Sequence, residues 1–331
     1  MAADTDRLLD IRDLSVEYDT DTGLVKAVNK LNLKLNKGKA LGFVGETGAG
    51  KTTTALAVLQ LIQSPPGRIT EGTILFEGEN VMTMTAAEKK YLRGGRIAMI
   101  FQDPMTSLNP IMTVEDQIVE MIQLHSDMTN EAARVRAGEM LTLVGMQIER
   151  AKDYPHQLSG GMRQRVVIAI ALACNPKLLI ADEPTTALDV TIQAQILDLI
   201  RALQRKIQTS MLLITHDLGI VAETCDDVAI TYAGSVVEYA PVKELFTMPS
   251  HPYTHGLFDS VPDLDSDITG RLAVIPGLPP DPTNLPEGCR FSPRCLKAQP
   301  RCHKQDCRAR EIRPGHFVSC HFPIMEARSD R

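Results

Sequence analysis

Short, almost uninterrupted runs of apolar residues alternate along the chain with stretches in which apolar residues recur at helical spacing. The runs are Ala40–Val44, Ile97–Phe101, Leu178–Ala181 and Met211–Thr215. Such runs suit strands that are buried on both faces, and their alternation with helices indicates βαβ units around a mostly parallel sheet. The pattern therefore predicts an α/β fold.

Two segments depart from this alternation. Over Val114–Val144 the apolar residues keep a helical spacing, and Asp127–Asn130 should divide the segment into two helices. After about Tyr239 prolines become frequent, which disfavours long helices and central strands. The predicted organisation is a main domain over residues 1–240 with a helical subdomain at about 105–157, followed by a small loop-rich C-terminal extension over residues 241–331.

Composition narrows the classes of protein. The 331 residues suffice for one large domain or two smaller ones. No stretch of about 18 apolar residues occurs, so no membrane-spanning helix is expected. The polar N-terminus lacks the basic-then-apolar order of a secretion signal, which favours a cytosolic chain. The net charge of -6 argues against a dedicated nucleic-acid binder, and no nucleic-acid partner is expected.

The stretch Gly45–Thr52, GETGAGKT, follows an apolar run and precedes a helical one. It matches the pattern G-x-x-x-x-G-K-[ST], in which glycines let successive peptide N–H groups point at phosphate oxygens. The following helix adds its positive N-terminal end. Lys51 would reach the β- and γ-phosphates of ATP, and the Thr52 hydroxyl would bind magnesium. The predicted ATP-binding residues of this phosphate loop are Gly45, Glu46, Thr47, Gly48, Ala49, Gly50, Lys51, Thr52 and Thr53.

A pair of acids, Asp182 and Glu183, stands just past another apolar run. Ligands of open α/β sheets bind at the carboxyl ends of the strands. Asp182 would hold the magnesium ion, usually through water, and Glu183 would polarise the attacking water. An acidic pair that merely caps a helix is the alternative, and the phosphate loop in the same chain disfavours it.

A second candidate anion site lies at Ser159, Gly160 and Gly161, which begin a nearly all-apolar helix. A hydroxyl and bare peptide N–H groups at a helix N-terminus attract anions. An ordinary capped helix would explain Ser159 alone, not the two glycines. Because one chain then carries two phosphate-binding helix starts, we expect ATP to be sandwiched between two subunits, with the Ser-Gly-Gly of one closing on the γ-phosphate held by the other.

With these motifs, residues 8–240 resemble the ATP-binding-cassette (ABC) ATPases. The resemblance implies that Tyr18 stacks on adenine and that His216 contacts the γ-phosphate. It also implies that Gln102, in the stretch IFQDP, contacts magnesium and senses a transmembrane partner, and that Ala187–Asp189 crosses the dimer interface. The predicted catalytic residues are Glu183, His216 and Gln102, and the predicted magnesium ligands are Thr52, Gln102 and Asp182.

Further stretches, such as LRGGRIAMIFQDPMTSLNP and the HPYT motif at His251–Thr254, resemble those of the ATPase subunits of dipeptide and oligopeptide importers. This resemblance implies ATP-powered peptide uptake by two ATPases, two transmembrane permeases and an extracytoplasmic peptide-binding protein. The partner ATPase would be a related chain in a heterodimer, and the complex would hold this subunit at the cytoplasmic side of the inner membrane. Nickel importers share most of these features, so another cargo stays open.

The C-terminal extension is rich in cysteine, at Cys289, Cys295, Cys302, Cys307 and Cys320. A disulfide framework, a metal site and a redox pair are the alternatives, and the expected cytosolic location disfavours disulfides. The spacing matches neither the common zinc-ribbon pattern nor the compact ferredoxin run, so it leaves zinc and a [4Fe–4S] cluster open. Unliganded buried thiols are the plain alternative.

The importer resemblance favours the cluster, because the family has a GCxFxPRC stretch in which some members bind [4Fe–4S]. Carried over by position, the ligands would be Cys289, Cys295, Cys302 and Cys320. Cys307 departs from the family pattern and is a candidate substitute for the fourth ligand.

Two other function classes are alternatives to transport. Soluble cassette ATPases that act on DNA or ribosomes tend to carry tandem cassettes, long coiled coils or basic surfaces, whereas this chain shows one cassette and a net negative charge. A phosphate-loop kinase or small GTPase has no use for the LSGGM stretch that contains Ser159.

Overall fold

The computed structural model describes residues 6–103, 107–186, 188–260 and 274–328. The chain divides into two compact units. One comprises the segments Met1–Leu8, Leu35–Ala40 and Asn80–Ile214, and the other comprises Leu9–Lys34, Leu41–Glu79 and Thr215–Arg331. We call them the helical unit and the loop unit, after the helical insertion and the phosphate loop that they contain. The predicted boundary at residue 240 falls inside the loop unit and stays a prediction.

The strands are β1 (Arg7–Thr20), β2 (Gly23–Asn36), β3 (Ala40–Val44), β4 (Gly67–Phe76), β5 (Glu79–Asn80), β6 (Ile97–Ile100), β7 (Leu178–Asp182), β8 (Ser210–Thr215), β9 (Asp227–Tyr232), β10 (Ser235–Pro241), β11 (Arg310–Arg313) and β12 (His316–Val318). The α-helices are α1 (Lys51–Val58), α2 (Ala86–Tyr91), α3 (Val114–His125), α4 (Asn130–Leu143), α5 (Gly160–Leu172), α6 (Val190–Ile207), α7 (Leu218–Thr224), α8 (Val242–Thr247) and α9 (Pro252–Asp259). Within the described residues, no helix is long and apolar enough to cross a membrane.

The helical unit contains parallel strands that the apolar runs predicted. β6 pairs with β7, and β7 pairs with β8, all in parallel. Every residue of β7 and β8 is buried, as expected for strands covered on both faces. The α/β prediction and its strands are confirmed here to within one residue at each end.

The predicted helical insertion is also present in this unit. α3 begins after Thr113, whose side chain accepts a hydrogen bond from the Asp116 N–H. α4 begins after Thr129, which accepts one from the Ala132 N–H. The chain breaks between the two helices where the sequence predicted, because each helix start has its own capping residue. The guanidinium of Arg134, on α4, pairs with Asp116 on α3 at 3.0 Å.

The loop unit contains an antiparallel sheet that the sequence analysis did not predict. In it β1 lies between β2 and β4, and the β1–β4 register sets Tyr18 opposite Gly67. In β2 buried and exposed residues alternate from Asn29 to Leu35, and in β1 polar and exposed residues interrupt the buried ones, so neither strand is a continuous apolar run. Alternation of this kind is typical of half-buried antiparallel strands, and the search for continuous runs passed over it.

The C-terminal extension is more ordered than the prolines suggested. Its hairpin of β11 and β12 joins β10 through β12, and β10 in turn pairs with β9. A buried aromatic group of Tyr232, Tyr253 and Phe291 packs this extension against the strands, with ring centroids 4.7–5.3 Å apart. The expectation of a loop-rich segment holds for residues 274–309, which contain neither a helix nor a strand.

Candidate functional site

The phosphate loop in the loop unit joins β3 to α1. Gly50 has φ +88°, in the left-handed region, and a Cβ there would collide with the carbonyl oxygen of Ala27. A Cβ at Gly45 would collide with the carbonyl oxygen of Thr231. Glycine is therefore required at both positions, by backbone conformation at the first and by close approach at both. Thr47 and Gly48 are exposed at the tip of the loop.

The loop curls around the side chain of its own lysine. Lys51 is 8% exposed, and its Nζ donates to the carbonyl oxygens of Gly45 at 2.7 Å and Glu46 at 3.1 Å. A residue outside the loop also binds it, because the Ala49 carbonyl accepts the Gly234 N–H at 3.2 Å. Thr52 and Thr53, in the first turn of α1, are exposed and half-buried, respectively. The predicted ATP-binding residues of this loop are thus brought together around one lysine.

The side chain of Glu46 points to the C-terminal extension, which the sequence analysis did not foresee. Both its carboxylate oxygens accept from Arg294 Nη1, at 3.1 and 2.9 Å. Its peptide N–H donates to the hydroxyl of Tyr253 at 3.2 Å. A signal existed in the sequence, since Arg294 and Tyr253 both lie in stretches that marked the importer resemblance.

Tyr18, the predicted adenine-stacking residue, lies half-buried near the end of β1 in the loop unit. A Cβ on Gly67 would lie 2.7 Å from Tyr18 Cε1. The Tyr18 ring therefore packs where a side chain at Gly67, on the neighbouring strand, would lie.

The helical unit brings Gln102 and Glu183 together at the carboxyl ends of β6 and β7. Gln102 Nε2 donates to Glu183 Oε2 at 3.0 Å, and the Thr186 hydroxyl donates to the same oxygen at 3.0 Å. Asp182, the last residue of β7, is buried at 3% exposure. The Glu183 N–H donates to the Ile214 carbonyl at 2.9 Å, and Glu183 has φ +45°. Such a left-handed conformation is strained for a side-chain-bearing residue and often marks a functional site.

The predicted second anion site lies at the start of α5 in the helical unit. Ser159 and Gly160 are exposed, and the Ser159 hydroxyl accepts the Met162 N–H at 3.4 Å. A Cβ on Gly161 would lie 2.9 Å from Ile192 Cγ2, so this glycine lets α6 approach. Gln164, which the sequence analysis missed, is buried and donates to the Pro184 carbonyl at 2.6 Å.

His216 is exposed, directly after β8. The next residue, Asp217, caps α7 by accepting the N–H groups of Gly219 and Ile220. Of the predicted interface loop, Ala187 lies outside the described residues and Asp189 is the exposed residue preceding α6. Pro104, at the end of the IFQDP stretch, also lies outside them.

Four of the five extension cysteines share one cavity. It is lined by Cys289, Cys295, Cys302 and Cys320 together with His251 and Ser292, among other residues. Cys307 is not among the described residues that line it. Burial, with a smaller contribution from nearby thiols, raises the pKa of the Cys289 thiol to about 11 and that of Cys320 to about 12.

Backbone N–H groups act against burial at three of these thiols. Those of Phe291 and Ser292 lower the pKa of Cys289, that of Lys297 lowers the pKa of Cys295, and that of Phe322 lowers the pKa of Cys320. This effect favours the thiolate form.

Two buried polar atoms in the cavity wall, His251 Nε2 and Ser292 Oγ, have no hydrogen-bond partner among the described residues. His251 Nδ1 accepts the Tyr253 N–H at 3.0 Å, so the proton of the neutral ring resides on Nε2. Burial lowers the pKa of His251 to about 4, which keeps the ring neutral. Nε2–H is therefore a buried donor in the wall of the four-cysteine cavity.

The backbone around His251 is fixed by a buried carboxylate. Glu238, on β10, accepts the N–H groups of Ser250 and His251 at 2.6 and 2.9 Å, and His316 Nε2 lies 2.7 Å from it. This cluster ties the start of α9 and the C-terminal hairpin to the strands.

No group of three or more His, Cys, Asp or Glu residues in the described part of the chain is arranged to hold a metal ion. The described residues therefore do not support the predicted metal binding, whether as zinc or as an iron–sulfur cluster.

Comparison with known proteins agrees with this geometry. The family model "ABC transporter" matches residues 28–186, and the model "Oligopeptide/dipeptide transporter, C-terminal region" matches residues 237–302. The chain is 51% identical over 314 residues to the oligopeptide transport ATP-binding protein OppD of Bacillus subtilis, covering 94% of this chain and 88% of that protein. It is 49% identical over 297 residues to OppD of Haemophilus influenzae, covering 89% and 91%.

Solved structures show the same core. A dimeric ATP-binding cassette in a post-hydrolysis state with ADP and phosphate superposes with a TM-score of 0.64 at 26% identity, covering 71% of this chain and 99% of that one. A cassette from Clostridium perfringens, part of an ABC transporter complex, gives a TM-score of 0.63 at 27% identity, covering 73% and 91%.

The parallel strands, the phosphate loop and the acid pair at a strand end define an ATP-binding cassette. The chain belongs to the ABC transporter family, in the group of ATP-binding proteins that carry the oligopeptide/dipeptide transporter C-terminal region. It is an ABC-type ATPase, and the predicted fold class and family are confirmed.

Proposed function

We propose that this chain hydrolyses ATP at a site built from the phosphate loop and the acid pair. Lys51 and the loop N–H groups bind the β- and γ-phosphates, Tyr18 stacks on adenine, and Thr52, Gln102 and Asp182 hold the magnesium ion. The observation that carries hydrolysis is the Glu183 carboxylate, held by Gln102 and Thr186 beyond a buried strand. A carboxylate fixed in this way can polarise the attacking water, and His216 assists at the γ-phosphate.

The Ser159–Gly161 helix start completes the site on a second ATPase subunit. Its hydroxyl and its exposed N-terminal turn are suited to the γ-phosphate of nucleotide bound by a partner. The cycle is closure on ATP, hydrolysis and reopening, in which positioning and charge stabilisation supply most of the catalysis. The partner is a related but different chain.

The cargo of the transporter is di- or oligopeptide. The support is the shared C-terminal region and the names of the two relatives compared above, which are oligopeptide transport ATP-binding proteins. Two permease subunits and an extracytoplasmic peptide-binding protein complete the system, and this subunit sits at the cytoplasmic face of the inner membrane. Nickel or another solute is the alternative cargo.

Crosslinking tests the nucleotide sandwich. A cysteine at Ser159 of this chain should crosslink to the phosphate loop of the partner ATPase when ATP is bound, and a cysteine at the exposed Glu139 of α4 should not. If the Ser159 crosslink never forms with nucleotide present, the sandwich and the subunit arrangement are wrong.

Transport of a labelled dipeptide into proteoliposomes that hold the full complex tests the cargo, and uptake of Ni²⁺ alone would favour the alternative.

We also propose that the four-cysteine cavity holds a [4Fe–4S] cluster. Its thiols line a shared cavity rather than converge on one point, which suits a multi-atom cluster better than a single zinc ion. The backbone N–H groups that lower the pKa of three of these thiols suit thiolate ligands. The ligands would be Cys289, Cys295, Cys302 and Cys320. The cluster would crosslink a loop-rich segment and so stabilise it.

Anaerobic purification tests the cluster. The protein should be brown, should bleach with dithionite and should contain about four iron atoms per chain, the number that such a cluster holds. A colourless protein with stoichiometric zinc would overturn the proposal.

The domain organisation that fits this function has the ATPase domain at residues 1–240, with a helical subdomain at about 105–157, and the extension at 241–331. The two family-model matches, at residues 28–186 and 237–302, support a change of module near residue 240.

A further inference from the structure

Glu46 brings a negative charge into a loop whose task is to bind phosphates. The carboxylate is neutralised by Arg294, which lies 248 positions further along the chain. The side chain of Arg294 is 7% exposed, and that of Glu46 is 26% exposed. A mostly buried pair of this kind is weakly screened by salt and costs much free energy to break from one side.

The guanidinium of Arg294 is itself held on several sides. Its Nε donates to the Pro276 carbonyl at 2.9 Å, and Nη1 donates to the Tyr232 hydroxyl at 3.3 Å. Its Cζ lies 5.8 Å from the centroid of the Tyr232 ring. The pair therefore has a fixed geometry, in contrast to a surface salt bridge whose two side chains move freely.

The peptide groups of Glu46 are bound as well. The N–H donates to Tyr253, which is fully buried among aromatic rings, and the carbonyl accepts from Lys51. The side chain, the donor and the acceptor of Glu46 are thus all engaged, and two of these contacts come from the C-terminal extension. A loop fixed before its ligand arrives loses less conformational entropy on binding.

We propose that Arg294 is a positioning residue for nucleotide binding, which neutralises Glu46 and holds the phosphate loop ready for ATP. Without Arg294, the Glu46 carboxylate would repel the triphosphate and the loop would lose its outer support. The effect falls on affinity and not on the chemical step, since Glu46, the Pro276 carbonyl and Tyr232, to which Arg294 donates, are not proposed catalytic residues. The proposal rests on the proposed ATP site.

The test uses the full chain and a fluorescent ATP analogue. Arg294→Met keeps an apolar stem of similar length and removes the charge, so it should bind the analogue on the order of tenfold more weakly, as expected when a buried charged contact is lost. Adding Glu46→Gln in the same chain removes the uncompensated carboxylate and should restore most of the affinity. In the assembled transporter, R294M should raise the KM for ATP and leave kcat nearly unchanged.

Arg313→Met is the matched control. Arg313 lies in the same extension, is 19% exposed and pairs with Glu244 at 3.4 Å, away from the phosphate loop. It should bind the analogue like the unmodified chain. Should R294M fail to fold, Arg294→Lys keeps the charge and should lose only a few-fold in affinity.

The proposal is overturned if the double variant R294M/E46Q binds the ATP analogue as weakly as R294M, or if the control R313M binds it as weakly as R294M. It is also overturned if R294M lowers kcat and leaves the KM for ATP unchanged. Failure of the unmodified chain to bind the analogue would instead overturn the proposed ATP site.

Discussion

Gln102 Nε2 donates to Glu183 Oε2 across 3.0 Å, at the carboxyl ends of adjacent parallel strands. The residue predicted to contact magnesium and sense a transmembrane partner thus touches the residue predicted to polarise water. A movement of the Gln102 segment would change the orientation of that carboxylate. Hydrolysis at Glu183 is therefore expected to depend on the position of the Gln102 segment.

Glu183→Gln should trap the ATP-bound closed dimer. The amide keeps the shape of the carboxylate but cannot polarise water in the same way, so hydrolysis should slow by several orders of magnitude while nucleotide contacts remain. ATPase assays and size-exclusion chromatography with ATP check this. Glu223→Gln, at an exposed position on α7, is the control and should leave both readouts unchanged. Normal steady-state turnover in E183Q would contradict the assignment.

The left-handed backbone of Glu183 predicts an unusual order of stability. At φ +45° an alanine keeps the steric cost of its Cβ and a glycine does not, so Glu183→Gly should be more stable than Glu183→Ala by about 1 kcal/mol. Both should lose hydrolysis. Thermal or urea unfolding of the two variants measures the difference.

The same pair of substitutions at Glu139 gives the control for backbone strain. Glu139 is exposed in the interior of α4, where glycine should be less stable than alanine by roughly 0.5–1 kcal/mol. If E183G were also less stable than E183A, the backbone at Glu183 would not be strained.

Gly50→Ala should damage the phosphate loop more than Gly48→Ala does. Both glycines have positive φ, +88° and +80°, so both substitutions carry the conformational penalty. A Cβ at Gly50 also meets the carbonyl of Ala27, whereas nothing in the described part of the chain lies within 4 Å of one at Gly48. We expect an additional destabilisation of about 1–3 kcal/mol for G50A, with loss of nucleotide binding. Equal unfolding midpoints would refute the loop geometry.

The sequence alone predicted those parts of the molecule that depend on local patterns. β7 and β8 are continuous apolar runs, and the phosphate loop is a contiguous motif. Each can therefore be recognised from a short stretch of sequence. The pairing of Glu46 with Arg294 is not, because it depends on a tertiary fold that joins positions 248 apart. The C-terminal hairpin was not predicted for a related reason. Its strand β12 pairs with β10, which is distant in the sequence, so no local pattern reveals the pairing.

Cys320→Ser should remove the proposed cluster, and Cys307→Ser should not. Cys320 lines the shared cavity and is 8% exposed, whereas Cys307 is not among the described lining residues. Iron content and visible absorption after anaerobic purification distinguish the two variants. If C307S lost the cluster and C320S kept it, Cys307 would be the fourth ligand and the cavity would not describe the site.

His251→Leu should make the reduction potential of the proposed cluster more negative. The Nε2–H of His251 is a buried donor in the cavity wall, and hydrogen bonds to the sulfurs of a cluster stabilise its reduced, more negative form. A redox titration followed by electron paramagnetic resonance measures the shift. His255→Leu is the matched control, because its Nε2 lies 2.7 Å from the Pro249 carbonyl and it is not among the described residues that line the cavity. An unchanged potential in H251L, with the cluster intact, would show that His251 does not donate to it. An unmodified chain that is colourless after anaerobic purification would count against the cluster itself.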